Sequence, residues 1–523
     1  MKRIQYTVSV IVLTLGIVSC ARNYDLSYVD GFNPSGGDSV GMEVDTSSAT
    51  IDRSKYGRAR IYPGLVDMDV PRLNNVTAQI DVSILPQSSA VYRIQVSQIP
   101  AFSVGYYAPP GELIKIDVPP GKYGLSAQIG VHTDNLSAIE SPRRDPLIYT
   151  RKALTPGGTN YLRNPYGGLI WIYATVPYAE PITLTFSGVV KSPDFILGVT
   201  DDVAWTDEVL QSKVPWLELR APSIVFSVPT ERIKNFIRNG KLVSPTAAIS
   251  EWEKIFAYDY YAWMGFETDE DAYLVDRKPL SPERLVMDIH PVVGYGHNGS
   301  PVVAQDDNNW LDDAVNINSI LRGETWGTAH EFGHNYQQPN IWSWAGLGET
   351  TNNLFIFKIA HRNGINRVGQ HPQVNKQFPI AVQNATERGG ADNASLHANH
   401  HNEGGTGGNP FYKITPFVQI FQKLRSLDNP SDTEFGWNFM PYLYKRARHA
   451  EFLSILDIDK RDFFYEALCD YAKQDMYPFF IAWDIKLSTY SRQRMAALYP
   501  KMKTKLWEYQ PLDGTGGNAI IDY

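Results

Sequence analysis

The sequence predicts an α+β protein: an N-terminal antiparallel β-sandwich domain, then a mostly helical domain built with a small sheet. Three observations predict it. Between residues 55 and 215, short runs of alternating apolar and polar residues recur, separated by Pro-Gly turns. From about 216 the apolar spacing lengthens to three and four, the period of amphipathic helices. The 523 residues are also too many for one core, so more than one domain is expected.

The chain opens with a targeting segment. Lys2 and Arg3 precede an apolar run from Val8 to Val18, too short to span a bilayer and of the length of a signal-peptide core. The run ends in Leu15-Gly-Ile-Val-Ser-Cys20, a small residue before cysteine, which is the pattern of a bacterial lipobox. Residues 1–20 are therefore expected to be a lipoprotein signal peptide. Lipid on Cys20 would tether the protein to a membrane; the alternative is an ordinary cleaved signal with an incidental cysteine. The expected location is the bacterial outer membrane, facing the cell surface or the periplasm. Residues 21–54, rich in Asp, Ser, Gly and Asn, read as a flexible tether. Residues 511–523 read as a C-terminal tail.

Within 55–215 the expected strands include Val91 to Val96, Leu113 to Val118, Gly124 to His132, Gly168 to Val176 and Pro181 to Val190. Turns such as Pro119-Pro-Gly-Lys separate them, as in an antiparallel sandwich. His132 falls inside this β-domain and reads as a structural histidine rather than a ligand.

Residues 216–510 change character. Ser227 to Ile237 and Pro245 to Tyr261 read as helices. Arg284 to Ile289 and Ser300 to Ala304 read as a strand pair flanking the turn Gly294-Tyr-Gly-His-Asn-Gly. Ser300 to Ala304 is expected at a sheet edge, where an extended peptide could add main-chain hydrogen bonds. Cys469 sits in an apolar stretch and reads as a buried thiol; with only two cysteines and one in the leader, no intramolecular disulfide is expected. The net charge is −8 and no basic cluster points to nucleic acid. The protein is expected to be a monomer.

Chemistry concentrates in Trp326-Gly-Thr-Ala-His330-Glu331-Phe-Gly-His334-Asn-Tyr-Gln. Residues four apart on a helix share a face, so His330 and His334 can present two imidazoles to one metal ion. Glu331 lies beside them, placed to take a proton from water. Fifteen positions after His334, Glu349 in Gly348-Glu-Thr-Thr-Asn352-Asn353 opens a second helical stretch beyond Pro339. Two histidines and a glutamate with an open fourth position are a standard catalytic zinc set. The expected assignment is His330, His334 and Glu349 on Zn²⁺, with Glu331 as general base. Trp326, Ala329, Gly333 and Gln337 share the ligands' helical stripe, facing the metal cleft or the core beside it. The oxyanion-stabilising group is open among Tyr295, His297 and the histidines His397, His400 and His401, a cluster that could instead form a second metal site. The partners of the ligating histidines are not identified by the sequence. Helices behind a small sheet, with ligands on two of them, form the architecture of thermolysin-like zincins.

Five segments occur in a recognisable order: Gly105-Tyr-Tyr-Ala-Pro-Pro-Gly-Glu, Gln128-Ile-Gly-Val-His-Thr-Asp, Asn164-Pro-Tyr-Gly-Gly-Leu-Ile, His330-Glu-Phe-Gly-His-Asn-Tyr-Gln and Gly348-Glu-Thr-Thr-Asn-Asn-Leu-Phe. Together they resemble the enhancin-like, mucin-targeting zinc metallopeptidases, peptidase family M60, over roughly residues 90 to 490. The resemblance implies a β-sandwich before a gluzincin catalytic domain and cleavage of O-glycosylated proteins such as mucins. It also implies zinc on His330, His334 and Glu349, with Glu331 as the base. Such enzymes often carry an added carbohydrate-binding module, and none is obvious here. Two other functions compete with a glycoprotein endopeptidase. One is a glycan- or glycoprotein-binding surface lipoprotein with a vestigial zinc site; the other is a zinc hydrolase of a non-peptide bond.

Overall fold

The computed structural model describes residues 50–83, 87–269, 271–365, 371–391, 408–451 and 453–523. Cys20, most of the expected tether and the histidines at 397, 400 and 401 lie outside them. Among the described residues, no helix is long and apolar enough to cross a membrane.

Strands β1 (Val76–Ile80), β2 (Ala101–Ala108), β3 (Ile114–Asp117), β4 (Leu125–Ile129), β5 (Thr150–Ala153), β6 (Thr159–Leu162), β7 (Gly168–Ala174), β8 (Ile182–Ser187) and β9 (Val190–Lys191) build two antiparallel sheets. Their orders are β1-β8-β3-β6 and β5-β4-β7-β2-β9. Ile80, Ile114, Ile116, Leu184 and Phe186 of the first meet Leu125, Ala127, Ile129, Ile170 and Ile172 of the second in one core. Strand β7 is buried along its whole length. Its alternate residues Leu169, Trp171 and Tyr173 face the other way, into the larger core shared with the rest of the chain. That is why Gly168-Leu-Ile-Trp-Ile-Tyr-Ala carries no polar alternation: both faces are covered.

A third sheet, mixed in direction, follows: β10 (Phe195–Ile196), β11 (Trp216–Arg220), β12 (Ile224–Pro229), β13 (Glu283–Asp288), β14 (Gly296–His297) and β15 (Val302–Gln305). Its order is β10-β11-β12-β13-β15-β14. Helices α1 (Asp202–Gln211), α2 (Thr230–Arg238), α3 (Pro245–Lys254), α4 (Asn308–Val315), α5 (Trp326–Asn335), α6 (Gly348–Thr351) and α7 (Leu354–Arg362) accompany and follow it, with further helices such as Asp457–Ala472 toward the C-terminus. The fold is thus mixed α and β, with two antiparallel sheets and one mixed sheet. Arg284 of β13 stacks its guanidinium on Trp171 of β7 at 3.6 Å and donates to the Val131 carbonyl at 2.9 Å, which fastens the third sheet to the second.

Three expectations need correction. Val91 to Val96 is not a strand: Ser89–Tyr92 is a single helical turn capped by Ser88, and the Val96 N–H then donates to the Asn335 carbonyl. Local capping and that long-range bond override the strand pattern. The expected helix from Ser227 begins only at Thr230, because Ser227 to Pro229 complete β12. The pair at 284–289 and 300–304 does form, but parallel. The intervening chain is long enough to lay down β14, which runs antiparallel to β15 and takes the sheet edge. Cys469 is buried in Asp457–Ala472, where burial pushes its thiol pKa up, away from the range of a nucleophile.

Candidate metal centre

The motif is helical. α5 has no cap of its own; instead Asp313 of α4 accepts the Thr328 N–H at 3.2 Å. Its back face is core: Phe332 packs against Trp252 and Phe256, and the Ala329 carbonyl accepts from Tyr260 Oη at 2.9 Å. Burying such a ring stabilises by about 1.5–3 kcal/mol, so the orientation of the helix is firmly set. His330 and His334 consequently project from the opposite side, rings 4.8 Å apart and perpendicular.

Glu349 of α6 meets both. Its Oε2 lies 3.3 Å from His330 Nε2 and 3.5 Å from His334 Nε2. Zinc bonds of about 2.0–2.1 Å in a tetrahedron separate neighbouring donors by roughly 3.3 Å, so these spacings suit one shared ion. The structure therefore brings the three expected ligands together as one of two groups of metal-binding chemistry among the described residues. Burial opposes charge on His330, but Glu349 and Glu331 outweigh it and raise its pKa. Glu349 is likewise pushed up by burial, yet its contacts with His330 and His334 hold it well below the usual carboxylate range. The same concentration of negative charge and ring nitrogens would favour a metal cation.

The hydrogen bonds on the far side of each ring decide which nitrogen would face a bound metal ion. Asn353 donates its amide N–H to the Glu349 carbonyl at 2.9 Å, leaving Oδ1 to accept from His330 Nδ1 at 2.8 Å. Gln337 donates to the Gly348 carbonyl and to Thr351 Oγ1, leaving Oε1 to accept from His334 Nδ1 at 2.9 Å. Each Nδ1 thus carries a proton, which leaves each Nε2, the nitrogen facing Glu349, as the atom that would bind a metal cation in place of a proton. The Asn352 amide N–H lies 2.9 Å from His334 Nε2, in keeping with a lone pair there; a ligated Nε2 would release it. Asn353 and Gln337 are the partners that sequence reasoning did not find. Gln337 was on the predicted stripe, although α5 ends at Asn335 and Gln337 reaches His334 from just beyond it.

Glu331 is half-buried and, among the described residues, makes no side-chain hydrogen bond or ion pair. It is the uncommitted carboxylate of the site. Of the oxyanion candidates, Tyr295 is 80% exposed. His297 has both ring nitrogens engaged, by Asp134 and by the Asn298 carbonyl, so it has no free N–H for a substrate oxygen. Trp326, four residues before His330, is half-buried with its ring 4.3 Å from His371 and 5.4 Å from Phe411.

A family model described as peptidase M60, enhancin and enhancin-like, matches residues 188–484. The chain belongs to this family. The N-terminal domain of M60-like peptidases matches residues 86–187. Among solved structures, the IMPa metallopeptidase from Pseudomonas aeruginosa superposes with a TM-score of 0.64 at 17% identity, covering 85% of this chain and 53% of that one. The M60 catalytic domain from Clostridium perfringens ZmpC, solved with the sialyl T antigen, gives 0.63 at 14% identity, covering 84% and 82%. At these identities the likeness is one of fold. By sequence, TRPM8 channel-associated factor 3 of Rattus norvegicus is 26% identical over 390 residues, 73% of this chain. The chain spans 38% of that relative's length.

Proposed function

We propose that this M60 family member is a zinc-dependent endopeptidase that hydrolyses peptide bonds of O-glycosylated proteins such as mucins. The observation that carries the proposal is the convergence of His330, His334 and Glu349, with each imidazole Nδ1 held by a side-chain amide oxygen and each Nε2 turned toward Glu349. When bound, zinc supplies Lewis acidity that polarises a carbonyl and acidifies water. Glu331 takes the proton of the attacking water as its oxygen bonds to the scissile carbon, then hands that proton to the amine as the C–N bond breaks. Asn353 and Gln337 keep the two imidazoles aimed throughout.

The glycoprotein preference is supported by two structural neighbours, one solved with an O-glycopeptide and one with the sialyl T antigen. The half-buried aromatic group of Trp326, His371 and Phe411 beside the site offers apolar faces for a sugar ring. Incubation of the full chain with native and deglycosylated mucin, followed by mass spectrometry of the fragments, tests it. Glu331→Gln should retain zinc and lose roughly 10²–10⁴ in turnover. Full activity in that variant, or equal cleavage of the deglycosylated substrate, would refute the mechanism or the substrate class respectively. We also propose that lipid on Cys20 anchors the enzyme at the bacterial outer membrane and that it acts as a monomer.

A second reading is a binding protein without turnover, supported by animal relatives named for association with a channel. It predicts capture of glycoprotein with no fragments from the wild type.

A further inference from the structure

Two side chains that meet near the candidate site come from different stretches of the chain. Asp134 follows β4, inside the stretch matched by the N-terminal domain model, whereas His297 and Glu331 lie in the peptidase stretch. Asp134 Oδ2 accepts from His297 Nε2 at 2.8 Å, and the Asn298 carbonyl accepts from Nδ1 at 2.9 Å. An acceptor on each nitrogen defines an imidazolium with both protons in use. The side chains of the pair are only 12% and 14% exposed. The turn after β14 is tied to the catalytic helix: Asn298 Nδ2 and the Gly299 N–H both donate to Asn335 Oδ1. β14 therefore packs against α5 on the side that carries Glu331.

Asp134 is itself held. Its N–H donates to His132 Nδ1 at 3.3 Å, His132 Nε2 lies 3.2 Å from Asp288 Oδ2, and Arg144 Nε donates to the same oxygen at 2.7 Å. His132, Asp134 and Asp288 form the second group with metal-binding chemistry. Here, however, Arg144 already answers Asp288 and His297 already answers Asp134, so an added cation would have to displace a buried guanidinium. Each carboxylate of the cluster already has a cationic partner. Its effect is to hold one carboxylate in place from behind.

We propose that Asp134 is a positioning residue of the active site: from the N-terminal domain it fixes the His297 imidazolium beside Glu331, so that catalysis draws on both domains. This rests on the peptidase reading. With no free N–H, His297 makes no hydrogen bond to substrate. It contributes a fixed positive charge near the base, where preorganised charge acts on the proton-transfer step. The titratable groups facing His297 are Asp134 and, from α5, Glu331; β15 alongside offers only Val302, Val303, Ala304 and Gln305. Burial opposes the charge, but Asp134, then the Asn298 carbonyl and last Glu331 outweigh it and raise the pKa to about 9. The charge is therefore present through neutral pH and lost above about 9.

The test compares full-length wild type, Asp134→Asn, Asp134→Glu and His297→Gln. Zinc content, kcat and KM on a glycopeptide, and histidine side-chain NMR of the metal-free proteins are measured. Asp134→Asn should keep zinc and a KM within about twofold, lose at least about tenfold in kcat, and move the alkaline limb of kcat toward the ordinary histidine value of ~6.5. The His297 resonance should titrate near 9 in wild type and near ~6.5 in Asp134→Asn, while Asp134→Glu restores most of the turnover. Wild-type kcat and an unmoved limb in Asp134→Asn would overturn the proposal. So would loss of zinc together with kcat, which marks a purely structural role. A wild type that cleaves no glycopeptide sinks the peptidase reading itself, an outcome separable because the NMR titration still reports the Asp134–His297 pair.

Discussion

A Cβ placed on Gly333 would stand 2.0 Å from the carbonyl oxygen of Asn352. Glycine in a helix interior costs about 1 kcal/mol relative to alanine, and here the reason for it is a neighbouring backbone. The contact lets α5 and the turn after α6 approach closely enough for Glu349 to reach the two histidines. Gly333→Ala gains helix propensity but forces the two backbones apart, an overpacking cost of about 1–3 kcal/mol. The expected outcome is a folded, less stable protein with clearly weakened zinc binding, measured by chelator competition. Wild-type zinc affinity in Gly333→Ala would show that this approach does not set the ligand spacing.

Asn353 and Gln337 give a sharper test because each has one oxygen to offer an imidazole. Asn353→Ala removes the acceptor that orients His330 and should weaken zinc binding or activity by roughly 10- to 100-fold. Asn353→Asp keeps an acceptor and should fall much less. Equal losses in the two variants would mean that the bond from His330 Nδ1 matters only for packing.

The contrast between these residues explains what the sequence could convey. His330, Glu331 and His334 were legible because a helical period alone puts them on one turn, and Glu349 because one short connection returns it. The two amides were not legible: whether an Asn serves a histidine depends on where its N–H is anchored, here on the carbonyls of Glu349 and Gly348. Asp134 and His297 are 163 residues apart, with no periodicity to connect them. The parallel pairing of β13 with β15 was hidden for a related reason. A turn-like Gly294-Tyr-Gly suggests a hairpin, and only the third dimension reveals the short β14 inserted beside β15.

Lipid attachment at Cys20 is tested by fractionation. Wild type should sediment with membranes and incorporate labelled palmitate, whereas Cys20→Ser should do neither. A soluble, unlabelled wild type would rule out the anchor. A single acyl chain binds only marginally, so stable sedimentation also requires more than one.

Behind the candidate metal centre, Glu283 is buried at 1% exposure at the start of β13. Tyr336 Oη, Gln98 Nε2 and Asn335 Nδ2 donate to it, at 2.5, 2.6 and 3.2 Å. Burial outweighs these three donors and raises its pKa to about 7. An unfolded glutamate titrates near ~4.3. Below that both states hold the proton; between ~4.3 and 7 only the folded protein does, so folded stability falls as pH rises through this window and levels off above it. Glu283→Gln removes the titration but leaves one oxygen for three donors. It should lower the melting temperature at pH 5, where the native acid is protonated and content, and lower it less at pH 8, where the wild type carries a buried charge. The difference in melting temperature between the two proteins, taken at both pH values, cancels the contributions of other buried acids. A gap that widens toward pH 8 would mean that the three donors prevail and that Glu283 is ionised in the folded protein at neutral pH.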